Sequence, residues 1–340
     1  MKDVLPEIER WLARGDKVVL ATVIATRRSA PRPVGSKLAV SESGEMAGSV
    51  SGGCVESEVY EHAKDVLGGG EPRLVSYGIP DEFAFSVGLP CGGEIDVFVE
   101  QADPALLDRV GEVLERQEHA VLFTVVEGDR LGSRTLAFEG DERGGDAIRR
   151  GRSHVLEVDG TKVFADVFGP PPRLLVFGAV DTAEELCRAA KRLGWRTIVA
   201  DARGKFATPE RVPSADELLV AWPEDVLERV RPLHETAVVV LTHEDKFDLP
   251  ALQGVLETDA FYVGALGSRR NQARRRELLL EAGVPEEQLE RISGPCGLDI
   301  GAGTPAETAV SIMAEILACR AGRDGGPLQA SSGHIHADVA

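Results

Sequence analysis

The segment with the clearest chemical potential is a glycine turn at residues 48–56, which reads GSVSGGCVE and centres on Ser51, Gly52, Gly53 and Cys54. Paired glycines let a ligand approach the backbone closely. Cys54 falls at the predicted start of a helix, where the helix dipole favours the thiolate form of a cysteine. The pattern predicts a reactive thiol or a contact to a sulfur-bearing or anionic ligand. The alternative is a buried structural cysteine at a tight turn.

A second cysteine–glycine segment has the mirrored order and consists of Cys91, Gly92 and Gly93. Two cysteines beside paired glycines in one domain suggest a single pocket. A glycine turn between two strands with an incidental cysteine would explain the same residues. The sequence leaves both interpretations open.

An anion site is predicted where Gly267 and Ser268 start a helix directly after a strand. Arg269 follows in the first helical turn, where a positive charge opposes the helix dipole unless an anion lies there. Further arginines follow at 274–276, and for these the alternative is a solvated helix face paired with Glu277 and Glu281.

A long loop at residues 294–304 carries four glycines, Gly301 among them, into the last predicted helix. Thr304 is the expected N-cap, Pro305 the first helical residue and Glu307 the partner in a capping box. The loop follows a strand of a predicted parallel sheet, and ligands of such folds bind at the carboxyl ends of the strands. We therefore count Gly301 and Thr304 among the candidate ligand contacts.

A dinucleotide fingerprint is expected after the strand at residues 173–177, and the segment there is incomplete. Gly178 occupies the first glycine position, but Val180 replaces the middle glycine and would obstruct close approach of a pyrophosphate. Asp181 adds negative charge at the helix start, and Asp201 stands where a ribose-binding acid would. We expect a Rossmann-like fold in which NAD(P) binding is lost.

The elements that must position these residues fall into two domains. Residues 1–168 predict a mixed α/β domain, with a charged loop at 127–151. The Gly-Pro-Pro-Pro run at 169–172 reads as a linker. Regular alternation of strands and helices in 169–322 predicts a Rossmann-like, doubly wound parallel sheet. Residues 323–340 are small and polar and are expected to form a mobile tail.

Composition excludes several classes of function. The 340 residues carry 38 basic and 56 acidic side chains, a net charge of −18, which argues against nucleic-acid and membrane-surface binding. Five cysteines without a C-x-x-C pair argue against a disulfide framework and a self-contained iron–sulfur cluster. We find no apolar stretch of membrane-spanning length and expect a cytoplasmic protein.

Four segments in this order, GSVSGGCVE, CGGEIDVFVE, YVGALGSRR and GLDIGAGTPAETAVSIMAEILA, resemble the XdhC/CoxI family of accessory proteins for molybdenum hydroxylases. The resemblance spans about residues 10–320. Family members often have a G-A-G-H turn where this chain has Gly178-Ala179-Val180-Asp181, which puts any nucleotide or metal role of that turn in doubt. Relatives often carry an aliphatic residue at position 296, so Cys296 is expected to be dispensable.

The resemblance implies a maturation factor rather than a turnover enzyme. Such a protein binds and protects the molybdenum cofactor (molybdopterin with molybdenum), assists its sulfuration with a cysteine desulfurase and delivers it to a hydroxylase of the xanthine dehydrogenase or carbon monoxide dehydrogenase type. It further implies a homodimer, a role for Cys54 in contacting molybdenum or passing sulfur, and a phosphate contact at Arg269 or a helix N-terminus. Two alternatives remain: an NAD(P)-dependent oxidoreductase that uses the Rossmann-like domain, and a docking protein that holds no cofactor.

Overall fold

The computed structural model describes residues 1–27, 30–78 and 93–331. These residues divide into two compact units, one ending at Pro170 and the other spanning Pro171–Ser331. Within the described ranges, no helix has both the length and the apolar character needed to cross a bilayer.

The first unit contains two antiparallel sheets. The strands of the larger sheet are β1 (Val18–Arg27), β2 (Lys37–Ser41), β3 (Met46–Gly48), β4 (Arg73–Tyr77) and β5 (Glu94–Gln101). Their order is β3–β2–β1–β5–β4. The smaller sheet consists of β6 (Ala120–Val125), β7 (Arg134–Phe138), β8 (His154–Val158) and β9 (Thr161–Phe168), in the order β7–β6–β9–β8. The helices are α1 (Leu5–Ala13), α2 (Glu56–Leu67), α3 (Pro104–Glu115) and α4 (Glu142–Arg150).

Helix α2 is fixed to the larger sheet by an apolar stripe at helical spacing. Val59, Ala63 and Val66 are buried in one cluster with Val97 and Val99 of β5. Each fully buried valine contributes roughly 1.5–3 kcal/mol of transfer free energy. This packing holds the first turn of α2, and with it the cysteine loop that precedes the helix, against a rigid support.

The prediction of a charged loop at residues 127–151 was wrong, because β7 and α4 lie there. Two adjacent glycines lower the helix propensity of the α4 sequence. In the structure Gly144 is buried, and a Cβ on it would lie 2.4 Å from the carbonyl oxygen of Phe138. Ala147 and Ile148 pack into a core with β6 and β9. Tertiary packing therefore outweighs the local propensity.

The second unit is a six-stranded parallel sheet, which confirms the predicted Rossmann-like architecture. Its strands are β10 (Arg173–Phe177), β11 (Arg196–Ala200), β12 (Glu217–Leu219), β13 (Thr236–Val240), β14 (Tyr262–Ala265) and β15 (Ile292–Ser293), in the order β12–β11–β10–β13–β14–β15. Its helices are α5 (Asp181–Arg192), α6 (Pro223–Val230), α7 (Asp245–Leu256), α8 (Arg269–Glu281), α9 (Glu286–Leu289) and α10 (Pro305–Arg320).

The sheet is covered by helices on both faces. Leu174 and Val176 of β10 join one core with α5 and α10, whereas Leu175 and Phe177 join a second core with α6, α7 and α8. The side chains of alternate residues in β10 therefore pack on opposite faces of the sheet. The turn before α8 and the loop before α10 follow the neighbouring strands β14 and β15, so both lie at the carboxyl edge of the sheet.

Only part of the polar tail predicted after Gly322 is described. Residues 328–330 form a short 3₁₀ turn. Residues 332–340 lie outside the described residues, so the prediction of a mobile tail stays a prediction.

Candidate functional site

The cysteine loop is organised around the carboxylate of Glu56, the first residue of α2. The hydroxyl of Ser49 donates to its Oε1 at 2.7 Å, and the hydroxyl of Ser51 donates to its Oε2. The backbone amides of Ser51 and Gly53 donate to the same carboxylate at 2.9 and 2.8 Å. One side chain therefore draws residues 49–53 into a closed turn.

The two serines also satisfy the amides that Glu56 does not reach. Ser51 Oγ accepts from the amides of Cys54 and Val55 at 2.9 Å each. Ser49 Oγ accepts from the amide of Gly52 at 2.8 Å. The amides of the loop are thus directed at groups of the protein itself. This arrangement disfavours the backbone cradle for an anion and leaves the Cys54 side chain as the group presented outward.

Glu56 is held in its charged form. Burial alone would raise the pKa of its carboxyl, but the hydrogen bonds from Ser51, Ser49 and the backbone outweigh burial and lower the pKa to about 2. A fixed negative charge therefore lies beside the cysteine loop at neutral pH.

Exposure separates the described cysteines into two classes. Cys54 and Cys319 are exposed, whereas Cys187 and Cys296 are buried. Burial raises the pKa of each buried thiol to about 12, which keeps both protonated at neutral pH. The alternative that Cys54 is a buried structural residue is therefore wrong. Cys54 is accessible to a ligand.

The mirrored segment is described only at its end. Cys91 and Gly92 lie outside the described residues, so a pocket shared by Cys54 and Cys91 stays a prediction. Gly93 is buried directly before β5. Its carbonyl oxygen packs against Gly78, where a Cβ would come within 2.1 Å of that oxygen.

The turn before α8 has the predicted form. Gly267 adopts a φ of +144°, and Ser268 caps the helix by accepting from the Asn271 amide at 3.2 Å. Arg269 is the first residue of α8 and is exposed. Across the described ranges it forms no ion pair. A guanidinium of this kind is available to an external anion, which keeps Arg269 a candidate phosphate contact.

The alternative interpretation of the later α8 arginines expected them to pair with Glu277 and Glu281. The structure gives them other partners. Arg274 pairs with an aspartate at the start of α7, and Arg275 forms a buried pair at 2.5 Å with a second aspartate of that helix. Arg276 pairs with two glutamates at 286 and 290. These arginines hold α8 to its neighbours, and only the first turn is left for a ligand.

In the loop before α10, as in the cysteine loop, a glutamate in the first helical turn accepts hydrogen bonds from backbone amides that precede the helix. Thr304 Oγ1 accepts from the Glu307 amide at 3.2 Å, and Glu307 Oε2 accepts from the amides of Gly303 and Thr304 at 2.9 Å each. The predicted capping box is confirmed. Gly301 and Thr304 are exposed. An anion at this helix start would have to compete with the Glu307 carboxylate.

Sequence reasoning missed the residues that anchor this loop. Glu315 Oε2 accepts from the Gly297 amide at 2.8 Å and from the hydroxyl of Tyr262 on β14. The Cys296 amide donates to the carbonyl oxygen of Ala265 at 3.1 Å. Burial raises the pKa of Tyr262 far above its ordinary range, so the phenol stays a donor. No local pattern pairs a strand tyrosine with a helix glutamate.

Residues 11–78 match the model of the XdhC and CoxI family, and residues 174–316 match the model of the XdhC Rossmann domain. The chain is 30% identical over 330 residues to a protein of Bacillus subtilis (strain 168) that is named as a probable xanthine dehydrogenase subunit, covering 92% of this chain and 96% of that one. The chain belongs to the XdhC/CoxI family.

Two further relatives of this XdhC/CoxI member extend along both units. The molybdenum cofactor insertion chaperone PaoD of Escherichia coli (strain K12) is 27% identical over 311 residues, covering 91% of this chain and 85% of PaoD. A crystal structure titled as a xanthine dehydrogenase from Bacillus halodurans aligns with a TM-score of 0.67 at 25% identity, covering 96% of this chain and 97% of that one. The family predicted from the motifs is confirmed.

In the XdhC Rossmann domain of this chain, the fingerprint turn is held from inside the protein. Asp201 Oδ2 accepts from the Ala179 amide at 3.1 Å. Arg203 binds the two oxygens of the same carboxylate at 2.9 Å each. Burial would raise the pKa of Asp201, but these hydrogen bonds outweigh it and lower the pKa. The predicted ribose-binding acid is therefore already engaged with a backbone amide and a guanidinium.

Proposed function

We propose that this protein is a chaperone that binds and protects the molybdenum cofactor, assists its sulfuration and inserts it into a hydroxylase of the xanthine dehydrogenase type. The observation that carries the proposal is the similarity to PaoD, a molybdenum cofactor insertion chaperone, over 91% of this chain and 85% of PaoD. The similarity includes both units, so the comparison concerns the whole architecture.

The cargo has chemistry that suits the candidate residues. The cofactor carries a dithiolene, an oxidation-prone pterin and a phosphate. Cys54 is an exposed thiol on a loop that Glu56 and the two serines hold in one conformation. A thiolate is the form of cysteine that binds metals and transfers sulfur. We propose Cys54 as the molybdenum contact or the sulfur-passing group, with Ser51, Gly52 and Gly53 as its supporting turn.

The remaining candidates have supporting roles in this proposal. Cys91, Gly92 and Gly93 are proposed as further cofactor contacts in the first unit. Arg269, at the helix start formed by Gly267 and Ser268, is proposed as a phosphate contact because it is exposed and lacks an ion pair in the described parts of the chain. Gly301 and Thr304 are proposed as contacts from the adjoining loop.

The proposed partners follow from the transfer itself. A cysteine desulfurase supplies the sulfur, and a molybdenum hydroxylase of the xanthine dehydrogenase or carbon monoxide dehydrogenase type receives the loaded cofactor. We propose a homodimer as the working form.

Pterin content tests this proposal. The full-length protein is expressed anaerobically in a host that makes the cofactor, purified, and oxidised so that bound pterin becomes fluorescent. Cys54→Ala is the test variant. Cys319→Ala is the matched control, because Cys319 is the other exposed cysteine among the described residues. Circular dichroism shows whether both variants are folded.

We expect near-stoichiometric pterin in the wild type and in Cys319→Ala, and a several-fold loss in folded Cys54→Ala. Equal pterin in all three proteins would contradict the role of Cys54 while leaving the chaperone function in place. No pterin in any of them would contradict the chaperone function and favour a docking protein that recruits hydroxylase and desulfurase without holding cofactor.

A further inference from the structure

The first unit contains a cavity of about 430 Å³ beside the cysteine loop. This volume lies within the range of small-molecule sites. Its lining includes the charged residues Asp3, Arg32, Lys37 and Asp166 and the polar residues Ser36 and Ser49. None of the sequence motifs discussed above assigns a role to Lys37 or Asp166, which lie 129 residues apart.

The cavity contains an ion pair that is almost excluded from solvent. Lys37 Nζ lies 2.6 Å from Asp166 Oδ2, and the two side chains are 3% and 7% exposed. Lys37 also donates to Thr22 Oγ1 at 3.3 Å. Asp166 Oδ1 accepts from the Ser153 hydroxyl at 3.0 Å. Burying such a pair costs several kcal/mol per ion in desolvation, which hydrogen bonds must offset.

The pair has unused hydrogen-bonding capacity at the cavity. An ammonium has three protons and a carboxylate has about four lone-pair positions. Within the described residues, Lys37 donates to Asp166 and Thr22, and Asp166 accepts from Lys37 and Ser153. One donor on Lys37 and about two acceptor positions on Asp166 therefore remain unused, on groups whose Nζ and Oδ2 atoms lie 2.6 Å apart. Buried polar groups in proteins are normally satisfied, so a ligand that presents an acceptor beside a donor fits here.

Charge argues against a phosphate in this cavity. The charged side chains that line it are Arg32, Lys37, Asp3 and Asp166, two of each sign. Burial lowers the pKa of the Met1 amino group at the same cavity to about 6, so this amine is largely neutral at pH 7 and adds little positive charge. A dianion would meet two carboxylates without an excess of positive charge. A neutral heterocycle with adjacent donors and acceptors has no such penalty.

The cavity is joined to the cysteine loop by backbone and side-chain contacts. The Ser49 amide donates to the Lys37 carbonyl oxygen at 2.9 Å. Ser49 Oγ accepts from the Gly52 amide at 2.8 Å. Gly48 allows this approach, because a Cβ there would lie 2.2 Å from the Lys37 carbonyl oxygen. A group bound in the cavity would lie next to the turn that carries Cys54.

We propose that this cavity binds the pterin ring of the cofactor, with Lys37 donating to the ring carbonyl and Asp166 accepting from both the adjacent ring N–H and the amino group. The inference rests on the proposed chaperone function and adds the subsite that holds the heterocycle. A pterin presents a carbonyl, a ring N–H and an amino group along one edge, which matches the donor and acceptor that the pair leaves available.

The test uses free pterin (2-amino-4-oxopteridine), whose intrinsic fluorescence reports binding to the full chain. Ser36→Leu adds an apolar side chain to the cavity lining without removing either member of the ion pair. Thr135→Leu is the matched control, because Thr135 lines a separate cavity of about 590 Å³ in the same unit. Lumazine, in which a carbonyl replaces the amino group, is titrated into the wild type. The lumazine titration uses only the wild type, so its result does not depend on whether a variant folds.

We expect saturable binding of pterin to the wild type and to Thr135→Leu, with affinity at least about tenfold lower in Ser36→Leu and for lumazine. Unchanged affinity in folded Ser36→Leu, or equal affinity for lumazine and pterin, would overturn the assignment. Competition by millimolar inorganic phosphate would overturn it in favour of an anion site.

The pterin content of the purified wild type, taken together with the binding of free pterin, separates failure of this inference from failure of the proposed function. If it copurifies with pterin yet free pterin binds Ser36→Leu normally, the cavity assignment fails and the chaperone function stands. If it neither copurifies with pterin nor binds it, both fail.

Discussion

The hydroxyl of Ser49 donates to Glu56 Oε1 at 2.7 Å and thereby ties the end of β3 to the first turn of α2. Glu307 closes the glycine loop before α10 by the same device, a carboxylate that reaches back to the amides preceding its own helix. These two glycine loops, one in each unit, are therefore closed from within, and the amides named here are engaged before any ligand arrives.

Replacing Glu56 by Gln is expected to destabilise the protein by about 1–2 kcal/mol at pH 7, because hydrogen bonds to a charged group are lost. The pKa of Glu56 is lowered to about 2, below its ordinary value of 4.5, so its contribution is present above pH 4.5 and lost as pH falls towards 2. Urea unfolding at pH 7, 4 and 3 measures this dependence. Glu58→Gln, on the same helix, is the control.

The variant should lose less stability than the wild type between pH 4.5 and 3, since Gln does not ionise. A parallel loss in both proteins would show that Glu56 does not carry this part of the acid sensitivity. The Glu58 side chain forms no hydrogen bond within the described part of the chain, so Glu58→Gln should follow the wild type.

Gly48→Ala is expected to cost more stability than Gly52→Ala. Both residues have a positive φ, +82° and +74°, which is strained for alanine by about 1 kcal/mol. Only at Gly48 would a Cβ also meet the protein, at 2.2 Å from the Lys37 carbonyl oxygen and 2.5 Å from Val4 Cγ1. Thermal unfolding of the two variants measures the difference. Equal melting temperatures would mean that the backbone moves to admit the methyl group.

The predictable parts of the fold are those whose sequence patterns lie within a few consecutive residues. The start of α10 follows from Thr304, Pro305 and Glu307, which lie within four residues and cap the helix as expected. The strand β10 begins with Arg173, continues with four apolar residues and is followed directly by Gly178. Such signals depend only on neighbouring residues, so the sequence alone is sufficient for them.

The contacts that hold the candidate site were not predictable in the same way. Lys37 lies in a short strand and Asp166 in another sheet, and no spacing connects them. Glu56 was visible as part of its motif, but its role depends on a turn that brings five donors to one carboxylate. Helix α4 was missed because its buried glycines are explained by packing rather than propensity.

The Lys37–Asp166 pair predicts a strongly coupled mutant cycle. Lys37→Met leaves a buried carboxylate without its cation, and Asp166→Leu leaves a buried ammonium without its anion. Each single change should cost about 3–5 kcal/mol. The double variant should cost clearly less than the sum, because neither charge is then left unpaired. Urea unfolding of all four proteins measures the coupling, and additive costs would contradict an energetically linked pair.

The fingerprint turn predicts that NAD(H) and NADP(H) do not bind with a Kd below about 1 mM. A pyrophosphate at this turn needs the Ala179 amide, which donates to Asp201, and Asp201 is in turn bound by Arg203. Val180→Gly should not restore binding, because removing its side chain leaves the Asp201 carboxylate on that amide. Isothermal calorimetry of the wild type and Val180→Gly, with an NAD-dependent dehydrogenase as positive control, measures this. Saturable micromolar binding to the wild type would instead support the oxidoreductase alternative, and binding to Val180→Gly alone would show that the valine side chain is the only barrier.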